Sequence, residues 1–167
     1  MEWLLPMKEA TKVYSNKHEK MIQDLLGWKT VSASGARPFH PGDVKSDEWL
    51  GECKTHTTVI DKITIDKDVW RKISNEAMSC LKKPVLFVDN GTQSKQGTWV
   101  VVDEKFVDKD ILSHVPITYR DSKTRITFSH LDMYDIIRYK EYGNISIDGN
   151  TLVIMRLVTF KEMLETD

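Results

Sequence analysis

Apolar positions recur along this chain with two periods, one helical and one of strict alternation, and the switches between them mark the elements. From Lys17 to about Leu26, Ile22 and Leu26 share one stripe with Met21 and Leu25 beside them. That predicts a helix capped by Asn16 and ended by Gly27. Residues 1–15 hold Trp3, Leu4, Leu5, Val13 and Tyr14 among lysines and read as a packing arm with a short helix after Pro6. Trp28 to Ser32 alternates and predicts a strand, followed by the loop Ser34-Gly35-Ala36-Arg37-Pro38. Asp43-Val44-Lys45 and Trp49 to Lys54 read as two short strands about a Ser46-Asp47-Glu48 turn.

Thr57 to Asp66 reads as a connector. A helix from about Val69 to Lys82 follows, with Asp66 or Asp68 as cap, and Lys82 and Lys83 suit its C-terminal end. Pro84 to Asp89 is an almost unbroken apolar run, as in a buried central strand. A polar stretch from Asn90 to Gly97 then leads to a strand over Thr98–Val102, and the two strands suit a hairpin with a long loop. Further on, Phe106 to His114 reads as a short helix and Arg125 to Phe128 as a strand. Ser129 with Asp132 resembles a capping pair that opens a helix through about Lys140. Ile145–Ile147 and Thr151–Met155 flank Asp148-Gly149-Asn150, a strong hairpin signal, and Phe160 to Glu165 closes as a helical turn. No repeat, low-complexity segment or linker divides the chain, and 167 residues suit one domain.

Composition changes this picture little. Hydrophobic residues make up 40% and charged residues 29%, ordinary values for a chain that buries a core without staples. The two cysteines, Cys53 and Cys80, form neither a disulfide framework nor a zinc quartet, so a reducing cytoplasm is expected. No apolar run approaches the roughly 18–20 residues that span a bilayer, so no membrane partner is expected. The first residues lack the basic-then-apolar pattern of a signal peptide. A net charge of −1 argues against a generic nucleic-acid coat protein. It leaves room for a cluster of catalytic acids beside a local basic face.

The candidate chemistry lies between Gly42 and His56. In the second short strand, period two puts Glu52, Lys54 and His56 on one face and Cys53 and Thr55 on the other. Glu52 and Lys54 then stand about 7 Å apart, and a hairpin partner brings Asp43 within reach of them. Magnesium prefers oxygen ligands in octahedral geometry. Asp43, Glu52 and the Cys53 backbone carbonyl can supply such ligands, and Lys54 can position a water or meet developing negative charge. Glu19 lies close to the direction of Ile22 and Leu26, and a core-facing carboxylate needs a cationic partner. It could complete the shell directly or through water. Taken alone, Glu19 reads first as a stripe-edge residue that reaches solvent.

Order and context raise the value of a pattern that is weak by itself. The segment from about Asn16 to Asp89 resembles the PD-(D/E)xK nuclease superfamily, and within it the archaeal-type Holliday-junction resolvases and their virus-carried relatives. The matching residues are Glu19, Ser32-Ala33-Ser34-Gly35, Gly42-Asp43 and Glu52-Cys53-Lys54, with Gly42 in place of the usual proline. The resemblance implies an α/β fold: a restriction-endonuclease-like core (about 16–102) whose mixed central sheet is flanked by helices. Residues 103–167 match nothing in that family and are expected to form an α+β C-terminal extension of the same single domain. It further implies Mg²⁺, with Mn²⁺ able to substitute, held by Asp43 and Glu52, with Lys54 as catalytic lysine and Glu19 as accessory acid. Ser32 and Ser34 match hydroxyls near the scissile phosphate. The implied partners are branched DNA and a second copy of the chain, because a resolvase cuts two opposed strands symmetrically. Action in the cytoplasm, or in a host cytoplasm for a virus-borne chain, follows.

Around this cluster, Arg37, Lys45 and Lys95 are candidates for phosphate contact and His40 and His56 for a metal or phosphate contact, although each taken singly reads first as an ordinary loop, strand-end or surface residue. Trp49 and Trp99 read as core or interface aromatics, and Cys53 as packing. Cys80 has no orienting partner that would make it a nucleophile. Two other readings stay open: a restriction-type or replication and repair nuclease on duplex or flapped DNA, and a non-catalytic DNA- or protein-binding module that kept the fold.

Overall fold

The computed structural model describes residues 7–31 and 42–166, with side chains from residue 11 onward. Its first element, α1 (Met7–Leu26), is one continuous helix, so the expected division at Asn16 does not occur. Ser15 and Asn16 are only mildly unfavourable in a helix interior, and no Gly or Pro stands between Met7 and Leu26 to stop it. Gly27 does end it, at φ +71°, with its N–H bonded to the Gln23 carbonyl at 2.8 Å. The strands β1 (Lys29–Thr30), β2 (Val44–Lys45) and β3 (Trp49–Lys54) follow. Next come β4 (Lys62–Asp66), α2 (Lys67–Ser79), β5 (Lys83–Asp89) and β6 (Thr98–Asp103). A 3₁₀ turn at Glu104–Phe106 leads to β7 (Ser113–His114), β8 (Arg120–Asp121) and β9 (Arg125–Ser129). The chain closes with α3 (His130–Ile136), β10 (Glu141–Ile147), β11 (Asn150–Arg156) and α4 (Leu157–Glu165).

Among the described residues, eight strands form one mixed sheet in the order β1-β2-β3-β5-β6-β11-β10-β7, flanked by the four helices. A smaller antiparallel sheet runs β4-β9-β8. In the large sheet β3 runs parallel to β5, with α2 as the crossover between them, and β10 runs parallel to β7. β11 pairs with β6 over Leu152–Arg156, so the last third of the chain completes the same sheet. No described helix is long and apolar enough to cross a membrane.

The large sheet buries both faces. One face packs Val85, Phe87, Val100 and Val153 against Ile22 of α1 and Phe160 of α4. Trp28, Trp49, Phe87 and Phe160 meet there edge to face, with ring centroids 5.2–6.0 Å apart. The other face packs Leu50, Leu86, Val88 and Trp99 against Ile73 of α2, the small sheet, and Met133 of α3. Trp49 and Trp99 are therefore core residues.

Four further expected elements differ. The Thr57–Asp66 connector contains β4, whose Ile63 and Ile65 are buried by pairing with β9, some sixty residues later in the chain. α2 ends at Ser79, before Lys82, because Leu81 takes a left-handed φ of +60°. Residues 106–114 are not a helix. Asp103 caps a single 3₁₀ turn, and the Asp108 carboxylate takes the Asp110 N–H at 2.9 Å, a local bond that competes with helix formation. α3 stops at Ile136 because the Arg138 N–H bonds the Glu141 carboxylate and Lys140 turns to φ +62°. Its cap is as expected: Ser129 Oγ accepts the Asp132 N–H at 3.2 Å. Asp66 is the cap of α2, accepting from Asp68 and Val69.

Candidate active site

The β2–β3 hairpin sets the site. Val44 is buried on the α1 face of the sheet, so its neighbour Asp43 points to the α2 face, as do Glu52 and Lys54. Asp43 is fixed twice. Its N–H bonds the Gly51 carbonyl at 2.7 Å, and its Oδ2 accepts the Cys53 N–H at 2.9 Å. In a strand a residue's N–H and C=O point to the same edge, so the Cys53 carbonyl also faces Asp43. Gly42 takes φ +68°, and a Cβ there would lie 2.8 Å from the Gly51 carbonyl oxygen. Its N–H donates to Glu76 Oε2 at 2.9 Å. Proline, locked near −65° and lacking the N–H, could serve neither need. Glycine at position 42 thus has a local cause.

Lys54 Nζ lies 3.4 Å from Glu52 Oε1; Glu52 is 12% exposed and Lys54 52%. Burial raises the Asp43 and Glu52 carboxyls above their usual range, and Asp43 adds to the rise at Glu52. Lys54 and the Cys53 N–H pull Asp43 partly back. Two acids that oppose each other's ionisation in a half-buried site form a place for positive charge. On α2, Lys72 and Glu76 join this field, 3.9 Å apart, Lys72 favouring ionisation of Asp43 and Glu76 opposing it. Sequence shows these two only as an i, i+4 pair on a helix face.

Glu19 is raised from 4.5 to about 7, first by burial, then by Asp43 and Glu52, with Lys54 opposing. α1 therefore delivers the fourth charged group to the cluster. A carboxyl raised in the folded state stabilises the fold below about 4.5, and that contribution is lost as pH rises through about 7. Next to it, His18 is fully buried and held down at about 4 by burial, so its contribution runs the opposite way, lost as pH falls from 6.5. The wild-type profile mixes the two. Glu19→Gln separates them: with chelator present, its Tm should climb relative to wild type across about pH 4.5–7 and level off above. A constant difference over that range would give Glu19 an ordinary pKa.

Behind Lys54 lies a buried polar knot the sequence does not announce. Asp89, at the end of β5, has no exposed surface. It accepts Thr55 Oγ1 at 2.6 Å, Gly91 N–H at 2.9 Å, Gln93 N–H at 2.8 Å and Thr98 Oγ1 at 3.1 Å. Thr98 Oγ1 also meets His18 Nε2 at 3.0 Å. When the Thr98 hydroxyl donates to Asp89, His18 must donate through Nε2, and its buried Nδ1 has no partner. The knot ties Thr55, next to Lys54, to His18, next to Glu19.

Asp43, Glu52, Lys54 and Glu19 thus share one electrostatic neighbourhood, and the Cys53 carbonyl faces it. The Cys53 side chain is buried on the opposite face and its thiol is pushed up by burial, as a packing residue should be. Lys45 is exposed on β2, on the same face as Asp43. His56 is half-buried just past β3, and Lys95 is exposed in the loop that Asp89 organises. Ser32, Ser34, Arg37 and His40 lie outside the described residues. Among the described residues, no group of three or more His, Cys, Asp or Glu side chains is gathered to hold a metal ion. A magnesium site needs less, since one or two carboxylates suffice when water fills the remaining positions. Asp43 and Glu52 are two carboxylates on one sheet face, but the expected third, Glu19, is not gathered with them into such a group. Comparison of the chain with family models, curated proteins and solved structures gives no match.

Proposed function

We propose that this chain is a metal-dependent endonuclease that hydrolyses DNA phosphodiester bonds, a structure-selective junction resolvase acting as a homodimer. One observation carries the reading: a hairpin sets Asp43, Glu52 and Lys54 on one sheet face, where the two carboxyls are held above their usual range. The order of helix α1, acid-bearing hairpin, crossover α2 and parallel β5 supports a restriction-endonuclease-like core.

Mg²⁺ or Mn²⁺, when bound, would supply Lewis acidity at the phosphate and a more acidic water. Asp43 and Glu52 would hold it, with the Cys53 carbonyl as a third oxygen. Lys54, the more exposed partner of Glu52, reaches out to orient the attacking water or to meet charge growing on the phosphate. Glu19 adds a carboxyl that can change protonation near neutral pH.

The test is incubation with a four-way junction, a flapped duplex and a linear duplex of shared sequence, with Mg²⁺ or with chelator. Cleavage that requires Mg²⁺ and favours the junction is expected. Equal cutting of linear duplex would make the protein a restriction- or repair-type nuclease. No cutting, with no Mg²⁺ uptake by calorimetry, would leave a binding module.

A further inference from the structure

Next to the acidic cluster is a cavity of about 370 Å³ that the reaction itself does not require. Lys54 stands in its wall and is the residue that the cavity shares with the site. Val69 from the first turn of α2 gives it a partly exposed aliphatic floor, and the buried Leu86 and Val88 of β5 lie beneath. His56 and Arg125 line it as well, together with Thr64 of β4. Arg125 is held at this place by the register of the small sheet, where it pairs with Asp66. The Asp66 carboxylate, the one acid in the wall, is committed to capping α2.

An aliphatic floor beside cations and hydroxyls matches one chemical class well: a nucleotide, with the base against the floor and a phosphate at the cations. The volume lies near the lower end of small-molecule sites, about 300–1,000 Å³, enough for one nucleotide and no more. A base within a paired stack cannot enter a cavity let into a sheet face. It must first leave the stack, at a cost that is least where the nucleotide is already unpaired.

On the nuclease reading above, we infer that this cavity receives one nucleotide that has left the stack beside the scissile phosphate, and so selects DNA whose stacking is interrupted, at a junction's exchange point, a flap or a bubble, over continuous duplex. Val69 takes the base; Arg125 and His56 take the adjoining phosphate. Structure selectivity then has a location in a single chain, before any contribution from a second copy.

Two variants test this. Val69→Trp fills the cavity, and Arg125→Ala removes an exposed cation without altering the floor; thermal melting checks that both fold. The ratio of branched to linear cleavage rates should fall roughly tenfold in Arg125→Ala, the scale of one lost charge-assisted contact, and at least as far in Val69→Trp, which closes the cavity. In the Asp43→Asn background, where DNA is bound but not cut, 2-aminopurine placed beside the mapped cut site should report unstacking, and Val69→Trp should abolish that signal. An unchanged ratio with no fluorescence change overturns the inference while the nuclease reading stands. So does saturable binding of a free deoxynucleoside monophosphate that Arg125→Ala abolishes, if the 2-aminopurine signal is absent. If the wild type cuts no DNA, the nuclease reading falls first and this inference with it.

Discussion

Under the proposed nuclease function, Lys54→Met should yield a folded protein that still binds DNA but cleaves it at least about 100-fold more slowly, the usual cost of removing one preorganised donor from a transition state. The fold should hardly register the change, because the Lys54 side chain is 52% exposed and contributes to neither apolar layer. Losing the ammonium removes the charge 3.4 Å from Glu52. Without it the acids repel one another more, and Glu52 should hold its proton to higher pH. Asp43→Asn should match it in effect by another route. The asparagine oxygen can still accept the Cys53 N–H, so the hairpin keeps its clamp while the cluster loses one negative charge. Single-turnover cleavage and DNA binding, measured side by side, separate chemistry from affinity. Turnover like wild type in both variants would take these residues out of the reaction.

The second large effect concerns stability. Asp89→Ala should cost roughly 2–6 kcal/mol, because the Gly91 and Gln93 amides both lose a buried acceptor, each worth about 1–3 kcal/mol when left unpaired. For a chain of this size Tm should drop by roughly 5–20 °C. The Thr55 and Thr98 hydroxyls lose the same carboxylate, which loosens the residue after Lys54 and the partner of His18. Asp89→Asn should cost less, since one amide oxygen still accepts, but its NH₂ group faces donors. Urea unfolding of the three proteins checks the order wild type, Asn, Ala. An alanine variant as stable as wild type would mean that water replaces the carboxylate in the knot.

Much of the site was legible because it depends on local rules. Strand alternation alone places Glu52 with Lys54 and turns Cys53 away, whatever the rest of the chain does. Gly27 as a helix stop and Asp148-Gly149 as a hairpin turn follow from backbone preference; both turn residues take positive φ, at 54° and 77°. Where local preference was weak, the sequence misled. Ser15 and Asn16 can cap a helix or lie inside one, and the chain continued through them. β4 resembles a connector until β9 supplies its other half.

What the sequence determined by itself is the set of residues with a common direction: Glu52 beside Lys54, Ile22 beside Leu26, the apolar run of β5. Periods of 2.0 and 3.6 are built into the backbone and need no partner. Only the tertiary structure decided which of these directions meet. Glu19 reaches about 7 because packing buries it and brings it within reach of the Asp43 and Glu52 charges. Lys72 and Glu76 enter the field because α2 is the crossover from β3 to β5. The Asp89 knot and the cavity beside Lys54 exist only where three or more elements converge. Burial and through-space charge depend on distance in space, and no period along the chain encodes that distance.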